Sequence, residues 1–486
     1  KYTEQAFHAH DGVVTWGEPD TTGVTVTGGS TPTPAISGSE DIDLVTLTYF
    51  DDACTEYGVS FHSFAAMTSP KIQIVQGVAS GASDFASARE IAVTDNYTKQ
   101  LNEFKDYNKS DYSYYYNWSE RSSITSQITT YIHQGVIDGL NFNTTYSYRV
   151  GDASADVWSG IYTFTTRPQT IGNFSLIYTA DTQPENSDKK GWRGVSTIFN
   201  KALSVAPNAS FFVSGGDFVY CSDDGMSSIS PWRNTINGSN NLFGDDAFFA
   251  EHPWFVANGN HDNNYVQYFF NNDTTNTSTD YYSYDYGDVH FIVLDSGHNG
   301  SLDSTQINWL RSDLQATTKK FKVVFLHWPF YCHNERDLDD ATSRSAIDIF
   351  EQYGVDFVIS AHVNEDYYTT YPLKDDAIGT TSYTTEGDIK YFQGGNGPIY
   401  LQNAGSGMDG ELSNGGEKGV MYVGKNDGGK TCSYPDLMLH EAMAGYESSF
   451  LVLSVTGNKL SVNRYYLDSS LNAQRYSVGQ VGVIKN

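Results

Sequence analysis

The sequence predicts an α/β domain preceded by an all-β sandwich in a chain of 486 residues. Three observations predict this order. Short runs of alternating apolar residues between turn residues fill the first part of the chain. Apolar strand-like segments then alternate with helical segments, and the tail returns to strands. We place the two domains at residues 1–168 and 169–486.

The N-terminal part carries strand patterns and no residues that indicate chemistry. The runs "GVVTWGEP", "GVTVTG" and "LVTLTYF" are typical of short strands. Leu140, Thr144 and Tyr146 have the spacing of a tyrosine corner, in which the phenol bonds upstream backbone at a sandwich edge. "IYTFTTRP" ends the unit, and its proline fits a linker. The Tyr-rich residues 110–119 favour a loop insertion, with self-association of the chain as the alternative.

The second part has the alternation expected of an α/β domain. Its strand-like segments are "NFSLIYTAD", "ASFFVSGGD", "HPWFVANGNHD", "VHFIVLDS", "KFKVVFLHWP" and "VDFVISAHV". Helical candidates at residues 191–204 and 304–316 lie between them. After Tyr446, "SSFLVLSVTGNKLSVNRYYLD" predicts two strands joined by a Gly-Asn turn.

The charge balance restricts the classes of partner. The chain has 29 Lys plus Arg and 58 Asp plus Glu, which gives a formal net charge of -29. This charge argues against nucleic acid or an anionic membrane surface as a partner and is consistent with solubility. No apolar run approaches the ~20 residues that span a bilayer, so no membrane span is predicted. The start at Lys1 without an apolar leader predicts a processed or trimmed chain.

Cysteines and glycosylation sequons favour a secreted or extracellular glycoprotein with N-linked glycans. No C-x-x-C pair exists, which disfavours a zinc–thiolate site, and four cysteines allow two disulfides in one of three pairings. The cysteines are Cys54, Cys221, Cys332 and Cys432. The sequons begin at Asn96, Asn108, Asn117, Asn143, Asn173, Asn208, Asn237, Asn272, Asn276 and Asn299.

Five strand-like segments end in a residue that can bind a metal ion. These residues are Asp181, Asp217, Asn260, His327 and His362. Because the carboxyl ends of strands in α/β sheets border one crevice, we expect the five side chains to meet there. Each residue alone is a weak signal, since a strand-end histidine is usually structural. Five in chain order indicate a site.

The residue types divide into two ligand sets. Asp181, Asp217 and Tyr220 supply hard anionic oxygens that suit Fe(III). Asn260, His327 and His362 form a more neutral set that suits a divalent ion such as Zn, Mn or Fe(II), with Asp217 able to bridge the two ions. Two ions ~3.5–4 Å apart can activate water and hold a phosphoryl group.

At these residues the chain resembles the purple acid phosphatases of the calcineurin-like metallophosphoesterase superfamily. The family blocks G-D-x-G, G-D-x-x-Y, G-N-H-[ED], V-x-x-H and G-H-x-H stand here as "ADTQ", "GDFVY", "GNHD", "VFLH" and "AHVN". "TEQAFHAHDGVVTWGEP" resembles the opening of the family's fibronectin-III-like domain, and "YESSFLVLSVTGNKL" resembles the family's C-terminal strands. The resemblance implies a metallophosphoesterase domain with two β-sheets flanked by helices, preceded by a fibronectin-III-like sandwich.

The resemblance also implies roles for individual residues. It implies a secreted, metal-dependent acid phosphatase that hydrolyses phosphate monoesters, including phosphorylated small molecules. The Fe(III) set would be Asp181, Asp217 and Tyr220, and the divalent set would be Asp217, Asn260, His327 and His362. His261 would bind the substrate phosphate, and His333 would donate a proton to the leaving group.

Two blocks depart from the family pattern. Ala180 and Gln183 replace the glycines of the first block; alanine is acceptable unless the backbone needs a positive φ, and glutamine would narrow the site. In the last block Asn364 stands where the family's second histidine completes the ferric site. This segment is one residue longer than the family's usual run to Tyr-Pro, so Glu365 or Asp366 is an alternative carboxylate ligand.

The loops around this crevice also carry cysteines. Cys221 follows Tyr220, and Cys332 lies five residues after His327. We predict that these two cysteines pair and brace the site, which leaves Cys54 and Cys432 to pair with each other.

Three hypotheses follow for the function. The first is an active acid phosphatase with an altered ferric site. The second is a degenerate purple-acid-phosphatase-like glycoprotein that binds one ion or none and has a structural or binding role. The third, a carbohydrate- or protein-binding β-protein unrelated to phosphatases, is disfavoured by the five ordered blocks.

Overall fold

The structure is a computed structural model, and it describes most of the chain from residue 35 onwards. The described ranges are 35–104, 125–182, 191–219, 229–242, 247–262, 267–271, 281–297, 300–331, 338, 340–362, 367–368, 371–375, 377–403, 405–406, 421–423, 430–432, 448–468, 470, 472–476 and 480–485. The chain divides into two units, residues 1–34 and residues 35–486, and all described residues belong to the second.

Strands dominate the secondary structure. In chain order they are β1 (Ile42–Tyr49), β2 (Tyr57–Ser63), β3 (Pro70–Gln76), β4 (Arg89–Ala92), β5 (Asp95–Phe104), β6 (Thr125–Ile137), β7 (Thr145–Asp152), β8 (Val157–Trp158), β9 (Tyr162–Thr165), β10 (Phe174–Thr179), β11 (Phe212–Ser214), β12 (Trp254–Val256), β13 (Tyr282–Tyr286), β14 (Val289–Val293), β15 (Phe321–Phe325), β16 (Phe357–Ser360), β17 (Tyr367–Tyr368), β18 (Leu373–Lys374), β19 (Ala377–Ile378), β20 (Tyr383–Glu386), β21 (Ile389–Gln393), β22 (Ile399–Gln402), β23 (Met421–Val423), β24 (Lys430–Cys432), β25 (Ser449–Thr456), β26 (Lys459–Leu467), β27 (Ala473–Arg475) and β28 (Val481–Ile484).

The α-helices fall where the α/β alternation predicts them. They are α1 (Gly191–Val205), α2 (Ile229–Leu242), α3 (Phe248–Glu251), α4 (Ser304–Ala316) and α5 (Ala341–Tyr353). Short 3-10 helices lie at Ser39–Asp41 and Ala82–Phe85. Asp303 caps α4 by accepting the backbone N–H of Gln306 at 2.7 Å, and Asp340 caps α5 in the same way.

Two large sheets form the centre of the α/β region. A 13-stranded sheet has the order β20-β21-β28-β26-β25-β10-β11-β12-β1-β2-β6-β5, with β27 on β26. A 6-stranded sheet has the order β13-β14-β15-β16-β22-β17. Strands β10, β11 and β12 are parallel neighbours, and so are β14, β15, β16 and β22. Parallel strands place the loops after them at one edge of each sheet.

The two sheets pack face to face, and helices cover their outer faces. Between the sheets, Tyr178 of β10 stacks on Phe325 of β15 with ring centroids 5.5 Å apart. Helices α1, α2 and α3 share one hydrophobic cluster with Trp254 of β12, and α4 and α5 share another with Val324 of β15. The predicted fold class, two β-sheets flanked by helices after an all-β region, is confirmed.

The N-terminal sandwich shares a sheet with the α/β region. One of its layers is a 5-stranded sheet of β3, β4, β7, β8 and β9, and the other layer is the β1-β2-β6-β5 end of the 13-stranded sheet. Strand β1 pairs in parallel with β12 at Thr48 and Trp254. The predicted division at residue 168 stays a prediction, and the sheet runs through both sides of it.

Two local predictions in this fold are confirmed. The hydroxyl of Tyr146 accepts the backbone N–H of Asn141 at 3.0 Å, as expected of a tyrosine corner. In the tail, β25 and β26 pair around a turn at Gly457 and Asn458, and Gly457 adopts the positive φ that such a turn requires.

The structure contradicts the predicted pairing of Cys54 with Cys432. Cys54 is a free thiol in the β1–β2 connection, fully buried in the core cluster that contains Tyr49 and Tyr57. Burial raises its pKa well above the usual thiol value. A thiol enclosed in this core cluster behaves as a small apolar group rather than as a disulfide partner.

Candidate metal centre

The five predicted ligand positions lie at the carboxyl ends of five strands. Asp181 follows β10, Asp217 follows β11 and Asn260 follows β12, all three in the larger sheet. His327 follows β15 and His362 follows β16 in the smaller sheet. Because both sheets direct these ends to the same edge, residues distant in sequence meet in one place.

His327 is the centre of the arrangement. Its Nδ1–H donates to the carbonyl of Gly215 at 2.9 Å, so its Nε2 lone pair is directed away from that carbonyl. Nε2 lies 3.1 Å from Asp217 Oδ2, 3.0 Å from Asn260 Oδ1 and 3.2 Å from His362 Nδ1. Nitrogen lone pairs and oxygen acceptors thus converge on one small volume.

Asp181 and Asp217 border this volume. Asp181 Oδ2 accepts the backbone N–H of His362 at 3.0 Å, and its buried Oδ1 has no hydrogen-bond partner. Asp217 Oδ1 accepts the backbone N–H of His261 at 2.9 Å. Among the residues that the structure describes, Asp217, His327 and His362 have ligand atoms within 4.8 Å of one another, and all three are buried.

The electrostatics of these groups favour a cation beside His327 Nε2. Burial alone would lower the pKa of His327, but Asp217 outweighs burial and raises that pKa to about 9. For Asp217, burial favours the neutral acid, but the neighbouring His327 outweighs it and lowers the carboxyl pKa. Burial raises the pKa of Asp181 above its usual range. The carboxylates of Asp181 and Asp217 therefore favour a positive charge beside His327 Nε2.

The donor set fits a metal ion. A carboxylate, an amide oxygen and two imidazole nitrogens are the hard-to-borderline ligands that suit Zn, Mn or Fe(II). The hydrogen bond from His327 to the Gly215 carbonyl is the kind of contact that fixes the tautomer of a metal-binding histidine. The orphaned Asp181 Oδ1 supplies a further buried acceptor beside this set.

Backbone strain concentrates at the same positions. Asp181, Asp217 and His362 have positive φ values of 47°, 54° and 75°, which side-chain-bearing residues rarely adopt. Such strain costs of order 1–3 kcal/mol per residue and persists where surrounding contacts impose it. Its presence at three of the five strand ends is typical of a functional site.

Glycines allow the ligand loops to approach each other. A Cβ on Gly216 would lie 2.7 Å from the Gly259 nitrogen, and a Cβ on Gly259 would lie 2.1 Å from Asp217 Oδ1. Both glycines of the G-D and G-N blocks are therefore needed for the close approach. Ala180, which replaces a glycine of the first block, is fully buried and does not adopt a positive φ.

The side chain of His261 lies at the rim of the cluster. It is 20% exposed, and its Nε2 lies 4.0 Å from Asp217 Oδ2. Its side chain is therefore close to the cluster and partly open to solvent.

Several predicted residues lie outside the described ranges. They are Tyr220, Cys221, Gln183, Cys332, His333, Asn364, Glu365 and Asp366, with Asn108, Asn117, Asn272, Asn276 and Asn299. The backbone of Cys432 lies in β24 and that of Asn237 in α2, without a described side chain. The predicted sequons at Asn96, Asn143, Asn173 and Asn208 are exposed.

Sequence reasoning assigned no role to two residues that shape the centre. Asp262 is fully buried, and its carboxylate accepts the backbone N–H groups of Val219 and Gly259 at 3.3 and 3.2 Å. It thereby ties the G-D and G-N loops together, and an acid at the end of the "GNHD" block was the available signal. Trp328 stacks on His362 with ring centroids 3.6 Å apart. Only its place directly after His327 in the chain pointed to it.

Two protein-family models match the sequence. The model for "Calcineurin-like phosphoesterase" matches residues 174–366, and the model for "Purple acid Phosphatase, N-terminal domain" matches residues 43–166. Together they cover most of the chain.

Curated relatives of the chain include plant purple acid phosphatases. Purple acid phosphatase 22 of Arabidopsis thaliana is 27% identical over 282 residues, which are 52% of this chain and 57% of that protein. Fe(3+)-Zn(2+) purple acid phosphatase 12 of the same plant is 24% identical over 264 residues, 48% of this chain and 51% of that protein. The chain thus spans about half the length of these curated relatives.

A solved structure shares the fold. The purple acid phosphatase from yellow lupin (Lupinus luteus) seeds aligns with a TM-score of 0.64 and 15% identity. The alignment covers 92% of this chain and 74% of that chain.

Proposed function

We propose that this protein is a metal-dependent acid phosphatase. The premise is that the chain belongs to the calcineurin-like phosphoesterases and has a purple acid phosphatase N-terminal domain. Its substrates in this proposal are phosphate monoesters. The observation that carries the proposal is the convergence of Asp217, Asn260 and His362 on the Nε2 atom of His327.

The proposed metal content is two ions. In this proposal Asp217, Asn260, His327 and His362 would hold a divalent ion such as Zn, Mn or Fe(II). Asp181 and Asp217 would hold Fe(III) together with Tyr220 and Asn364. The first set is supported by distances in the cluster, and the second by the buried, unpartnered Asp181 Oδ1 and by the family blocks.

In this proposal, residues of the chain bind the substrate phosphate and donate a proton to the leaving group. When bound, the ions supply Lewis acidity that acidifies water and neutralises charge on the phosphoryl group. Asp217 lies between the two ligand sets, and the backbone N–H of His261 fixes its Oδ1. The half-buried side chain of His261 donates to a phosphate oxygen. His333 donates the proton that the leaving alkoxide needs.

The test is hydrolysis of a chromogenic phosphate monoester at mildly acidic pH. We expect turnover by the wild-type protein, its loss in Asp217→Ala, and its retention in Asp313→Asn. Asp313 is a matched control because it is also a carboxylate bonded to a histidine, His290, in the same α/β region. Absence of turnover in metal-loaded wild-type protein would refute the phosphatase proposal.

A degenerate binding protein is the second candidate. The described cluster of Asp217, His327 and His362 supports a site for one ion. Asn364, a neutral residue at the family's histidine position, favours loss of the ferric ion. This candidate predicts one bound ion per chain, no turnover and no visible absorption from an iron–tyrosinate bond. Metal analysis with a visible spectrum separates it from the first.

We also propose secretion and N-glycosylation. Four sequon asparagines, Asn96, Asn143, Asn173 and Asn208, are exposed and accessible to modification. Enzymatic removal of N-glycans from protein expressed in a secretory host should lower its mass. No helix within the described ranges is long and apolar enough to cross a membrane.

A further inference from the structure

Trp328 lies against the metal-binding histidine of the smaller sheet. Its ring stacks on that of His362 with centroids 3.6 Å apart and an interplanar angle of 29°. His362 presents Nδ1 to the cluster, 3.2 Å from His327 Nε2. The indole therefore covers one face of the imidazole and restricts the rotation that would turn Nδ1 out of the cluster.

The indole is itself fixed by a neighbouring loop. The backbone N–H of Trp328 donates to Ser296 Oγ at 3.0 Å, and its indole N–H donates to the Gly297 carbonyl at 3.1 Å. Gly300 packs so closely that a Cβ there would lie 2.7 Å from the indole ring. Ser296, Gly297 and Gly300 thus hold the ring that packs on His362.

His362 needs such support because its backbone is strained. Its φ of 75° is unusual for a residue with a side chain. Asp181 accepts its backbone N–H at 3.0 Å, and this contact fixes the main chain but not the ring. The imidazole has two described ring contacts: the indole face at 3.6 Å and the ring of His327, which is edge-on at 5.0 Å.

We propose that Trp328 is a positioning residue that sets the orientation of His362 for binding of the divalent ion. This inference rests on the proposed function, since it assigns His362 to the same metal site. Groups that orient metal-binding side chains typically contribute 10–100-fold to metal affinity. The indole performs this task by ring packing, and Ser296, Gly297 and Gly300 hold the indole.

The experiment measures zinc affinity of the metal-free, full-length protein by competition with a chromophoric chelator. We expect Trp328→Leu to lower the affinity by about tenfold or more, and Trp328→Phe to restore most of it because an aromatic face remains. Gly300→Ala should weaken binding by displacing the indole without removing it. The absorption spectrum of bound Co(II) should change in Trp328→Leu and return in Trp328→Phe.

Trp309→Leu is the matched control. Trp309 is also half-buried against the outer hydrophobic cluster of the smaller sheet, and it packs on Tyr281. We expect Trp309→Leu to lower the free energy of unfolding in urea about as much as Trp328→Leu does, and to leave zinc affinity unchanged. Equal zinc affinity in wild-type and Trp328→Leu protein would overturn the positioning role alone. Failure of the wild-type protein to bind zinc would overturn the proposed function and this role together.

Discussion

Two buried histidines of the α/β region, His327 and His290, face carboxylates in different ways. His290 lies between two of them: its Nδ1 is 2.8 Å from Asp285 Oδ1 and its Nε2 is 2.8 Å from Asp313 Oδ2. His327 gives one nitrogen to a backbone carbonyl and directs the other at a carboxylate, an amide oxygen and a second imidazole.

The two histidines have similar pKa values for different reasons. Burial lowers the pKa of each, and carboxylates then raise it to about 9 in both. An imidazolium at His290 satisfies one acceptor with each N–H, so a proton completes that site. At His327 one proton faces several acceptors that surround a single point. Convergence of acceptors, rather than a raised pKa, therefore distinguishes a metal site from a structural ion pair.

The largest expected effect is on zinc affinity, which should depend on the cluster around His327 and not on the one around His290. Asp217→Asn removes the charge that faces His327, and zinc affinity should fall by more than roughly a hundredfold, the upper range for groups that only support ligands. Competition titration of metal-free protein measures this change. Asp313→Asn, the matched change beside His290, should bind zinc as the wild type does. Loss of zinc binding in both variants would contradict the proposed difference between the His327 and His290 clusters.

A second comparison uses stability with and without zinc. At a free zinc concentration 100 times the Kd, binding should raise the free energy of unfolding by about 2.7 kcal/mol. His327→Gln should abolish this increment. His290→Gln should keep it while lowering the zinc-free stability by about 2 kcal/mol, because two charge-assisted hydrogen bonds are lost. Urea unfolding gives both quantities. A zinc increment that survives in His327→Gln would contradict the account.

The pH dependence of stability sharpens the comparison at His290. Its folded-state pKa of about 9 lies above the unfolded value of ~6.5, so the folded protein holds the proton more tightly. The stabilisation is fully present below ~pH 6.5 and is lost as pH rises through about 9. We expect a decline of about 2 kcal/mol across that window, after a discount for the partly exposed Asp285. A His290→Gln variant with the same decline would refute the assignment.

The smallest effect concerns the altered first block. Because Ala180 does not adopt a positive φ, Ala180→Gly should restore the family residue without relieving strain. We expect less than about 1 kcal/mol change in unfolding free energy, and a zinc affinity within experimental error of the wild type. A gain of tenfold or more in affinity would show that the methyl group distorts the Asp181 loop.

The sequence predicted the fold because its patterns were local and periodic. Apolar strands alternating with helical segments predicted the α/β region, and the Gly-Asn turn between β25 and β26 was visible as a dipeptide. Continuity of the sandwich with the α/β sheet was not predictable, since it depends on the pairing of β1 with β12 at Thr48 and Trp254, which lie far apart in the sequence.

The sequence predicted where the candidate metal ligands lie, but not the side-chain contacts that hold them in place. Strand ends marked Asp181, Asp217, Asn260, His327 and His362, because parallel strands bring their ends together. The contacts of Trp328 with His362, and of Asp262 with two loops, depend on side-chain packing between distant segments. The predicted disulfide of Cys54 was wrong because cysteine spacing carries no information on which thiols the core encloses.

Anomalous diffraction at the zinc edge from zinc-loaded crystals tests the central claim most directly. The account predicts a peak within bonding distance of His327 Nε2, His362 Nδ1, Asp217 and Asn260, with no peak beside His290. A peak at His290, or a fully loaded crystal with no peak at His327, would contradict the claim that acceptor convergence makes the metal site.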